Sequence, residues 1–206
     1  MERVYPANAP EQIALMVKLT KIYTRTGDRG ETALGNGQRV AKHQPRVVAY
    51  GSVDETNAVV GVARLYVAGE LEASLLRIQN DLFDVGADLC MPEAEPPKRQ
   101  ALRVRAEQVA WLENEIDRLN ASLEVLRSFI LPGGTVASAH LHHARTVARR
   151  AERDVVALMD EEVINPVVLR YLNRLSDFLF VAGRTANAAA DGDILWAPGK
   201  YRNDAG

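Results

Sequence analysis

Four arginines lie within nine residues of the segment ARTVARRAERD, at Arg145, Arg149, Arg150 and Arg153. Arg145, Arg149 and Glu152 follow one another at steps of four and three, so a helix would place them on one side. Guanidinium groups this close together repel one another unless an anion lies among them. Two interpretations follow: a solvated basic face paired with Asp154 and Glu152, or a site that binds a carboxylate or a ligand phosphate.

Glycine and threonine are frequent in residues 24–42, TRTGDRGETALGNGQRVAK, where they alternate with cationic residues. Glycines let backbone N–H groups turn toward an anion, and hydroxyl and cationic side chains can complete a cradle for a triphosphate. The segment is not a Walker A loop, because GxxxxGK[ST] is absent. Asp28 and Glu31 could help to hold a hydrated Mg²⁺ on such phosphates, although the sequence has no strong metal motif. Taken alone, the segment fits a mobile connector equally well.

These candidate residues need elements to position them. Apolar residues at three- and four-residue steps predict helices over residues 46–68, 70–90, 99–120, 135–162 and 166–190. Asn165 and Pro166 supply an N-cap and a proline at the first helical position of the last of these. Residues 18–42 are predicted to be an extended segment with loops, and residues 193–206 an irregular tail. The absence of any repeat or βαβ alternation favours a single all-α bundle over residues 18–206, preceded by a flexible extension at 1–17.

The fifth helical pattern also carries polar residues beside its apolar seam, namely Arg170, Asn173, Asp177 and Arg184. Such a polar side of a helix is usually a solvent face. Asn173 is the exception, because its position lets it meet the arginines of the fourth helix. These four, Arg145, Arg149, Arg150 and Arg153, are called the arginine stripe below. The histidines at 140, 142 and 143 have neither accompanying cysteines nor an HExxH arrangement, and are interpreted as structural or interface residues.

The composition excludes several classes of protein. Of the 206 residues, 47% are hydrophobic and 25% are charged, which is typical of a soluble globular chain. The net charge of −2 favours neither nucleic acid nor an acidic membrane surface as a partner. A single cysteine, Cys90, excludes an intrachain disulfide framework. With no apolar run near the roughly 18 residues that span a bilayer, and no signal-peptide pattern, the sequence predicts a cytoplasmic protein.

Four blocks of the sequence together resemble the PduO-type ATP:cob(I)alamin adenosyltransferases. They are TRTGDRGETALGNGQRVAK, AYGSVDETNAVVG, LPGGTVASAHLHHARTVARRAER and YLNRLSDFLFVAGRTAN. Any one block alone would be weak evidence for the family. The four blocks occur in order between about residues 18 and 198, however, with spacing like that of the family. The resemblance implies a five-helix bundle of ferritin-like up-and-down topology, assembled as a homotrimer with active sites between adjacent subunits. It also implies transfer of the 5′-deoxyadenosyl group of ATP to the cobalt of cob(I)alamin, with release of triphosphate.

The resemblance also implies roles for individual residues. Those that match the family's ATP-binding positions are Thr24, Arg25, Thr26, Gly27, Thr32, Ala33, Lys42, Arg149, Arg150, Ala151, Glu152, Arg153 and Asn173. Asp54 and Arg145 match an ion pair across the subunit interface that contributes to cobalamin binding and catalysis, and Arg149 is implied to be catalytic as well as ATP-binding. Phe129 matches the aromatic residue that excludes the lower ligand of cobalt. Position 52 is Ser, where family members often carry an acid or Thr.

No side chain need act as a general base, because cob(I)alamin is itself a strong nucleophile. The protein would position the reactants and stabilise the charge that grows on the triphosphate, with Mg²⁺ bound through the phosphates. Cob(II)alamin would be the precursor that is reduced, and the product would pass to an adenosylcobalamin-dependent enzyme. Two alternatives belong to other classes: an ATP-binding bundle that senses nucleotide and regulates a partner, and a helical interaction protein whose arginine stripe binds another protein.

Overall fold

A computed structural model describes residues 22–93 and 101–202, which form five α-helices and one small hairpin. The elements are β1 (Glu31–Ala33), β2 (Arg39–Ala41), α1 (Pro45–Arg64), α2 (Glu70–Cys90), α3 (Ala106–Asn120), α4 (Val136–Met159) and α5 (Pro166–Ala188). α1 packs against α2 and α4, and α5 packs against α4 and α3 and touches α2. The five-helix bundle is therefore confirmed. The flexible extension predicted for residues 1–17 lies outside the described residues.

The core forms where the apolar seams of the helices meet. Leu75, Ile78 and Leu82 of α2 are fully or almost fully buried, and burying a side chain of this size stabilises the fold by roughly 1.5–3 kcal/mol. The seam of α4 instead has small residues such as Ala144 and Ala148, which are also fully buried. Small side chains allow close approach of the backbones, and α4 accordingly packs closely on both α1 and α5.

Two of the helices begin with the side-chain caps that their sequences favour. The Thr135 hydroxyl accepts a hydrogen bond from the Ser138 N–H at 3.1 Å before α4. The Asn165 carbonyl oxygen accepts one from the Val167 N–H at 3.0 Å, and Pro166 follows as the first residue of α5. These caps fix where the helices that carry the arginine stripe and Asn173 begin.

The predicted start of α3 was wrong, because this helix begins at Ala106 and not near residue 99. The cause is Asp88 of α2, which is 2% exposed. Its carboxylate accepts hydrogen bonds from the Val104 N–H at 2.8 Å and from Arg103 at 2.6 Å. A buried carboxylate needs such donors, and they hold residues 101–105 out of the helix. The ends predicted at 68, 162 and 190 were also too late, by two to four residues.

The loop segment before α1 contains more structure than the sequence predicted. β1 and β2 pair antiparallel with Thr32 opposite Val40, and Gly37 turns the chain with φ +86°. The N–H of Gly35 donates to the carbonyl of Cys90 at 2.9 Å, which attaches the hairpin to the end of α2. Among the described residues no helix is long and apolar enough to span a membrane.

Candidate functional site

The arginine stripe lies on α4 with little internal compensation of charge. Arg150 forms an ion pair with Glu55 of α1, and Arg153 donates to the backbone carbonyl of Arg149 at 3.2 Å. Arg149 is exposed and has no ion pair with any described residue. The Arg149 guanidinium is therefore available to an anion from outside the described chain.

The carboxylates next to the stripe are engaged elsewhere. Glu152 accepts a hydrogen bond from the Asn173 side-chain amide at 2.9 Å, and Asp154 accepts one from the Ser52 hydroxyl. The first of the two interpretations, a basic face paired with Asp154 and Glu152, is therefore not supported, because neither carboxylate forms an ion pair with an arginine of the described chain. The expectation that Asn173 meets this side of α4 is confirmed at the level of geometry, because its amide contacts Glu152. Arg174 fixes the other side of that amide by donating to its carbonyl oxygen at 2.6 Å.

Arg145 is the least satisfied member of the stripe. Its guanidinium lies 5.9 Å from the centre of the Phe180 ring, and its Nε is buried without a hydrogen-bond partner. Burial lowers the pKa of Arg145, and the positive charge of Arg149 lowers it further. Asp54 is exposed on α1 and forms no ion pair with Arg145 within the described chain. The resemblance assigns that pair to two different subunits, so the pairing stays a prediction.

The loop before β1 is shaped by short contacts among its predicted ATP-binding residues. The hydroxyls of Thr24 and Thr26 are 2.9 Å apart, and Arg25 adopts φ +61°, which is uncommon for a residue other than glycine. Lys42 lies against Gly27, where an added Cβ would be 3.1 Å from the Lys42 ammonium nitrogen. Glycine at position 27 therefore lets the lysine lie beside the loop backbone.

The hairpin and the arginine stripe are both held by α1. Thr32 of β1 hydrogen-bonds the Tyr50 side chain, while burial and the nearby Cys90 raise the pKa of that phenol. Five residues further along α1, Glu55 pairs with Arg150 of α4. Ala33 lies beside Thr32 in the same strand, and Ala151 is fully buried in the α4 seam. The hairpin and the arginine-bearing side of α4 therefore both contact α1.

Phe129 stands on a separate loop and is 78% exposed. The loop ends at Gly134, whose φ is +100° and where an added Cβ would lie 2.3 Å from the Asn187 carbonyl oxygen. Asn187 is 1% exposed, and its amide group bonds both the carbonyl of Gly133 and the N–H of Thr135, each at 3.0 Å. The glycines of the LPGG motif therefore leave room for Asn187 of α5 to hydrogen-bond the loop that carries Phe129.

Arg184 was placed on the polar side of α5, but it is 6% exposed and pairs with Asp193 at 2.8 Å. Trp196 follows in the tail, with its ring centre 6.1 Å from that of Phe129. Arg184, Trp196 and Asn187 were missed as candidate site residues. Their partners are distant in sequence or lie in an irregular tail, so no local pattern identified them.

The histidines behave as structural residues. His142 is 2% exposed between α4 and α5, and His140 stacks on Tyr66 with ring centres 4.9 Å apart. Burial lowers the pKa of His142, and the charge of Arg145 acts in the same direction. Within residues 22–93 and 101–202, no group of three His, Cys, Asp or Glu side chains could hold a metal ion.

Comparison with known proteins assigns the chain to a family. The cobalamin adenosyltransferase family matches residues 22–186. A corrinoid adenosyltransferase of Mycobacterium tuberculosis is 49% identical over 192 residues, which cover 91% of this chain and 98% of that protein. One from Bacillus subtilis is 46% identical over 180 residues, covering 84% and 91%.

Solved structures give the same result. A variant of the PduO-type ATP:corrinoid adenosyltransferase from Lactobacillus reuteri, complexed with cobalamin and ATP, aligns with a TM-score of 0.81 at 43% identity. The alignment covers 85% of this chain and 99% of that one. A second variant, complexed with ATP, gives a TM-score of 0.79 at 42% identity over 86% of this chain and all of the other.

The bundle and these relatives define a transferase. More narrowly, the chain belongs to the cobalamin adenosyltransferase family, and the resemblance carried by the four sequence blocks is confirmed. The predicted adenosyltransferase function is confirmed with it, in preference to a nucleotide sensor or an interaction protein.

Proposed function

We propose that the protein binds ATP against the arginine stripe and transfers its 5′-deoxyadenosyl group to cob(I)alamin. The Co(I) electron pair attacks C5′, the C5′–O5′ bond breaks, and triphosphate leaves with the bonding electrons. The observation that carries this proposal is the uncompensated charge of the stripe, where, among the described residues, Arg149 has no ion pair and the buried Nε of Arg145 has no partner. A leaving triphosphate supplies the missing negative charge.

Arg149, Arg153 and Lys42 would stabilise the charge that grows on the triphosphate. Preorganised donors of this kind are worth roughly 100- to 1,000-fold in rate each when they act only on the transition state. Arg150 is held by Glu55, so it contributes a fixed charge at the edge of the stripe. The cradle is completed by the loop and hairpin residues that match the family, namely Thr24, Arg25, Thr26, Gly27, Thr32 and Ala33.

Asn173 and Glu152 would contact ATP as a preassembled pair. Arg174 and Glu152 bond the two ends of the Asn173 amide at 2.6 and 2.9 Å, so the amide is oriented before any ligand binds. Because little ordering remains to be done, such a pair loses little entropy when it binds ligand. Ala151, between Glu152 and Arg150, is buried and would act through its backbone and its small size.

Mg²⁺ would accompany ATP and be held chiefly by phosphate oxygens and water. Mg²⁺ prefers oxygen ligands in octahedral geometry and keeps several waters. Glu31, one of the two candidate carboxylates, is already paired with Arg39 at 3.2 Å. Asp28 is left as the carboxylate of this loop that could contact a hydrated ion. When bound, the ion neutralises phosphate charge.

The assembled enzyme would be a homotrimer in which Asp54 of one subunit pairs with Arg145 of the next. Two features of the single chain support this proposal. The Arg145 Nε is buried without a partner, a state that buried donors rarely keep. Exposed apolar side chains also lie at the C-terminal end of α1 and just beyond it, at Val62, Leu65 and Tyr66, as expected of a surface that another subunit covers.

Phe129 would lie under the corrin and displace the lower ligand of cob(II)alamin. The resulting four-coordinate Co(II) accepts one electron from a reductant more readily than the five-coordinate form, giving Co(I) for the attack on C5′. The 78% exposure of Phe129 supports this role, because a buried ring could not reach a substrate. We also propose a cytoplasmic location, a single functional domain over residues 18–206, and transfer of product to an adenosylcobalamin-dependent enzyme.

The test is an anoxic absorbance assay of the purified protein with ATP, Mg²⁺ and chemically reduced cobalamin. The expected result is loss of the cob(I)alamin band and growth of the light-sensitive adenosylcobalamin spectrum, with one triphosphate released per turnover. Arg118→Ala serves as a control, because Arg118 is an exposed arginine of α3 that is already paired with Glu70 and Glu115. Bound ATP without adenosylcobalamin would overturn the proposal.

A further inference from the structure

The chain that follows α5 returns along the segment that carries Phe129. The Trp196 N–H donates to the Phe129 carbonyl at 2.8 Å, and the Leu131 N–H donates to the Ile194 carbonyl at 2.8 Å. The Ser128 hydroxyl adds a third bond, to the Trp196 carbonyl at 2.9 Å. The backbone on either side of Ile130, which includes the Phe129 carbonyl, is therefore paired in an antiparallel manner with the tail.

This pairing is anchored on α5 by buried polar groups. Asp193, just before the paired residues of the tail, accepts hydrogen bonds from Arg184 at 2.8 Å and from Asn187 at 3.1 Å. Asn187 also bonds Gly133, at the other end of the Phe129 loop, at 3.0 Å. One helix thus fixes both the tail and the loop, and the position of Phe129 depends on both.

The tail also places a ring against the Phe129 ring. The two ring centres are 6.1 Å apart and the planes are inclined by 59°, an arrangement within the range of favourable aromatic pairs. Trp196 is 46% exposed, so about half of the residue is covered by its surroundings, which include the Phe129 ring. An exposed phenylalanine on a loop would otherwise be free to change rotamer.

We propose that Trp196 is a positioning residue that holds the Phe129 ring where it displaces the lower ligand of cob(II)alamin. The inference rests on the proposed role of Phe129 and extends it to the tail. Cob(I)alamin already lacks a lower ligand, so a positioning role matters when the reaction starts from cob(II)alamin and matters little when it starts from cob(I)alamin. A purely structural role would affect both reactions alike.

The test compares Trp196→Ala with the unmodified protein in both reactions. Aromatic pairs of this kind are worth about 0.5–1.5 kcal/mol, so the rate from cob(II)alamin with a one-electron reductant should fall roughly two- to tenfold. The rate from pre-reduced cob(I)alamin should stay within about twofold, inside the scatter of surface substitutions. Electron paramagnetic resonance of cob(II)alamin bound with ATP should show a smaller four-coordinate fraction, and Trp196→Tyr should restore it.

Leu195→Ala is the matched control. Leu195 is the neighbouring tail residue opposite Ile130, and alternation along an extended chain turns its side chain away from the side of Trp196. The variant removes a comparable exposed apolar group and keeps every backbone hydrogen bond. It should leave the ratio of the two rates unchanged.

The outcomes separate this inference from the proposed function. Equal losses in the two reactions, or an unchanged four-coordinate fraction in Trp196→Ala, would overturn the role of Trp196. Phe129→Ala, measured in parallel, tests the assumption beneath it. If Phe129→Ala slows both reactions equally, the ligand-displacement role of Phe129 itself fails. If Phe129→Ala separates them and Trp196→Ala does not, only the inference about the tail fails.

Discussion

The loop that carries Phe129 and the side of α4 that carries Arg145 differ in how far one chain satisfies their polar groups. At the loop, Asn187 and Asp193 are nearly buried and every one of their side-chain polar atoms is hydrogen-bonded. On α4, the Arg145 Nε and both ring nitrogens of His142 are buried without a partner in residues 22–93 and 101–202. Buried polar groups are ordinarily paired, so the first region is complete in a single chain and the second is not.

The unpaired groups on α4 share one direction. Ser138, His142 and Arg145 follow at steps of four and three, and the hydroxyl of Ser138 is also buried without a partner. On the opposing side of α5, the Phe180 ring lies near Arg145 and Gly183 lies against the His142 ring, and neither residue has a polar side chain. The loop that carries Phe129 is therefore a complete support in the single chain, whereas the Arg145 side of α4 keeps buried polar atoms without a partner among the described residues.

The largest effect is expected from breaking the Arg184–Asp193 ion pair, which supports the loop that carries Phe129. Asp193→Ala leaves the buried Arg184 guanidinium without its carboxylate, and removing one partner of such a pair costs about 3–5 kcal/mol of unfolding free energy. Urea unfolding measures the loss. Asp191→Ala, at an exposed acidic residue two positions earlier, should change stability by no more than about 0.5 kcal/mol. Similar values for the two variants would show that the Arg184–Asp193 pair is not a structural anchor.

The second prediction concerns the side of α4 that carries Arg145, and it tests whether another subunit completes this side. Asp54→Asn and Arg145→Ala should each lower turnover by roughly tenfold or more, because a charge pair loses one partner. If the pair joins two subunits, coexpressing the two variants in equal amounts recovers about a quarter of wild-type activity, from interfaces that combine the intact residue of each. Size-exclusion chromatography should show that the mixed sample keeps the wild-type oligomeric state. No recovery would place both residues in one subunit's site or in none.

The smallest effect concerns the pH dependence of stability. The pKa of His142 is lowered by burial from its ordinary 6.5, so as pH falls below 6.5 the unfolded chain takes up a proton before the folded chain does. Folding therefore loses stability between pH 6.5 and the lower folded pKa, by at most about 1.4 kcal/mol per pH unit. His142→Leu should remove this contribution. Unfolding free energies at about pH 7.5 and about pH 5.5 measure it. Parallel losses in both proteins would contradict the assignment.

The sequence predicted best the elements whose stability is local. Both ends of α2 were predicted correctly, because Leu75, Ile78 and Leu82 repeat at helical steps between a glycine and a proline-containing segment. The start of α3 was missed because Asp88, distant in sequence, holds Val104 in an extended segment. No local sequence pattern predicts a long-range hydrogen bond of this kind.

The candidate site divides in the same way. Asn173 was correctly expected to reach α4, since helical spacing alone gives its direction. Arg184 was assigned to the polar side of α5 because its partner, Asp193, lies beyond the helix in a tail without periodicity. The β1–β2 hairpin was missed for a related reason: its strands are three residues long, and Gly35 attaches them to Cys90 through the backbone.

The tail next to Phe129 gives the protein a built-in optical reporter. The chain has two tryptophans, and they lie in different surroundings. Trp111 is covered by the Arg77 guanidinium, 4.0 Å from its ring centre, whereas Trp196 is half-exposed beside Phe129. A corrin that docks over Phe129 would quench the fluorescence of Trp196 by energy transfer and by contact. Emission from a Trp111→Phe variant would then follow the corrin as it arrives and leaves, without any added label.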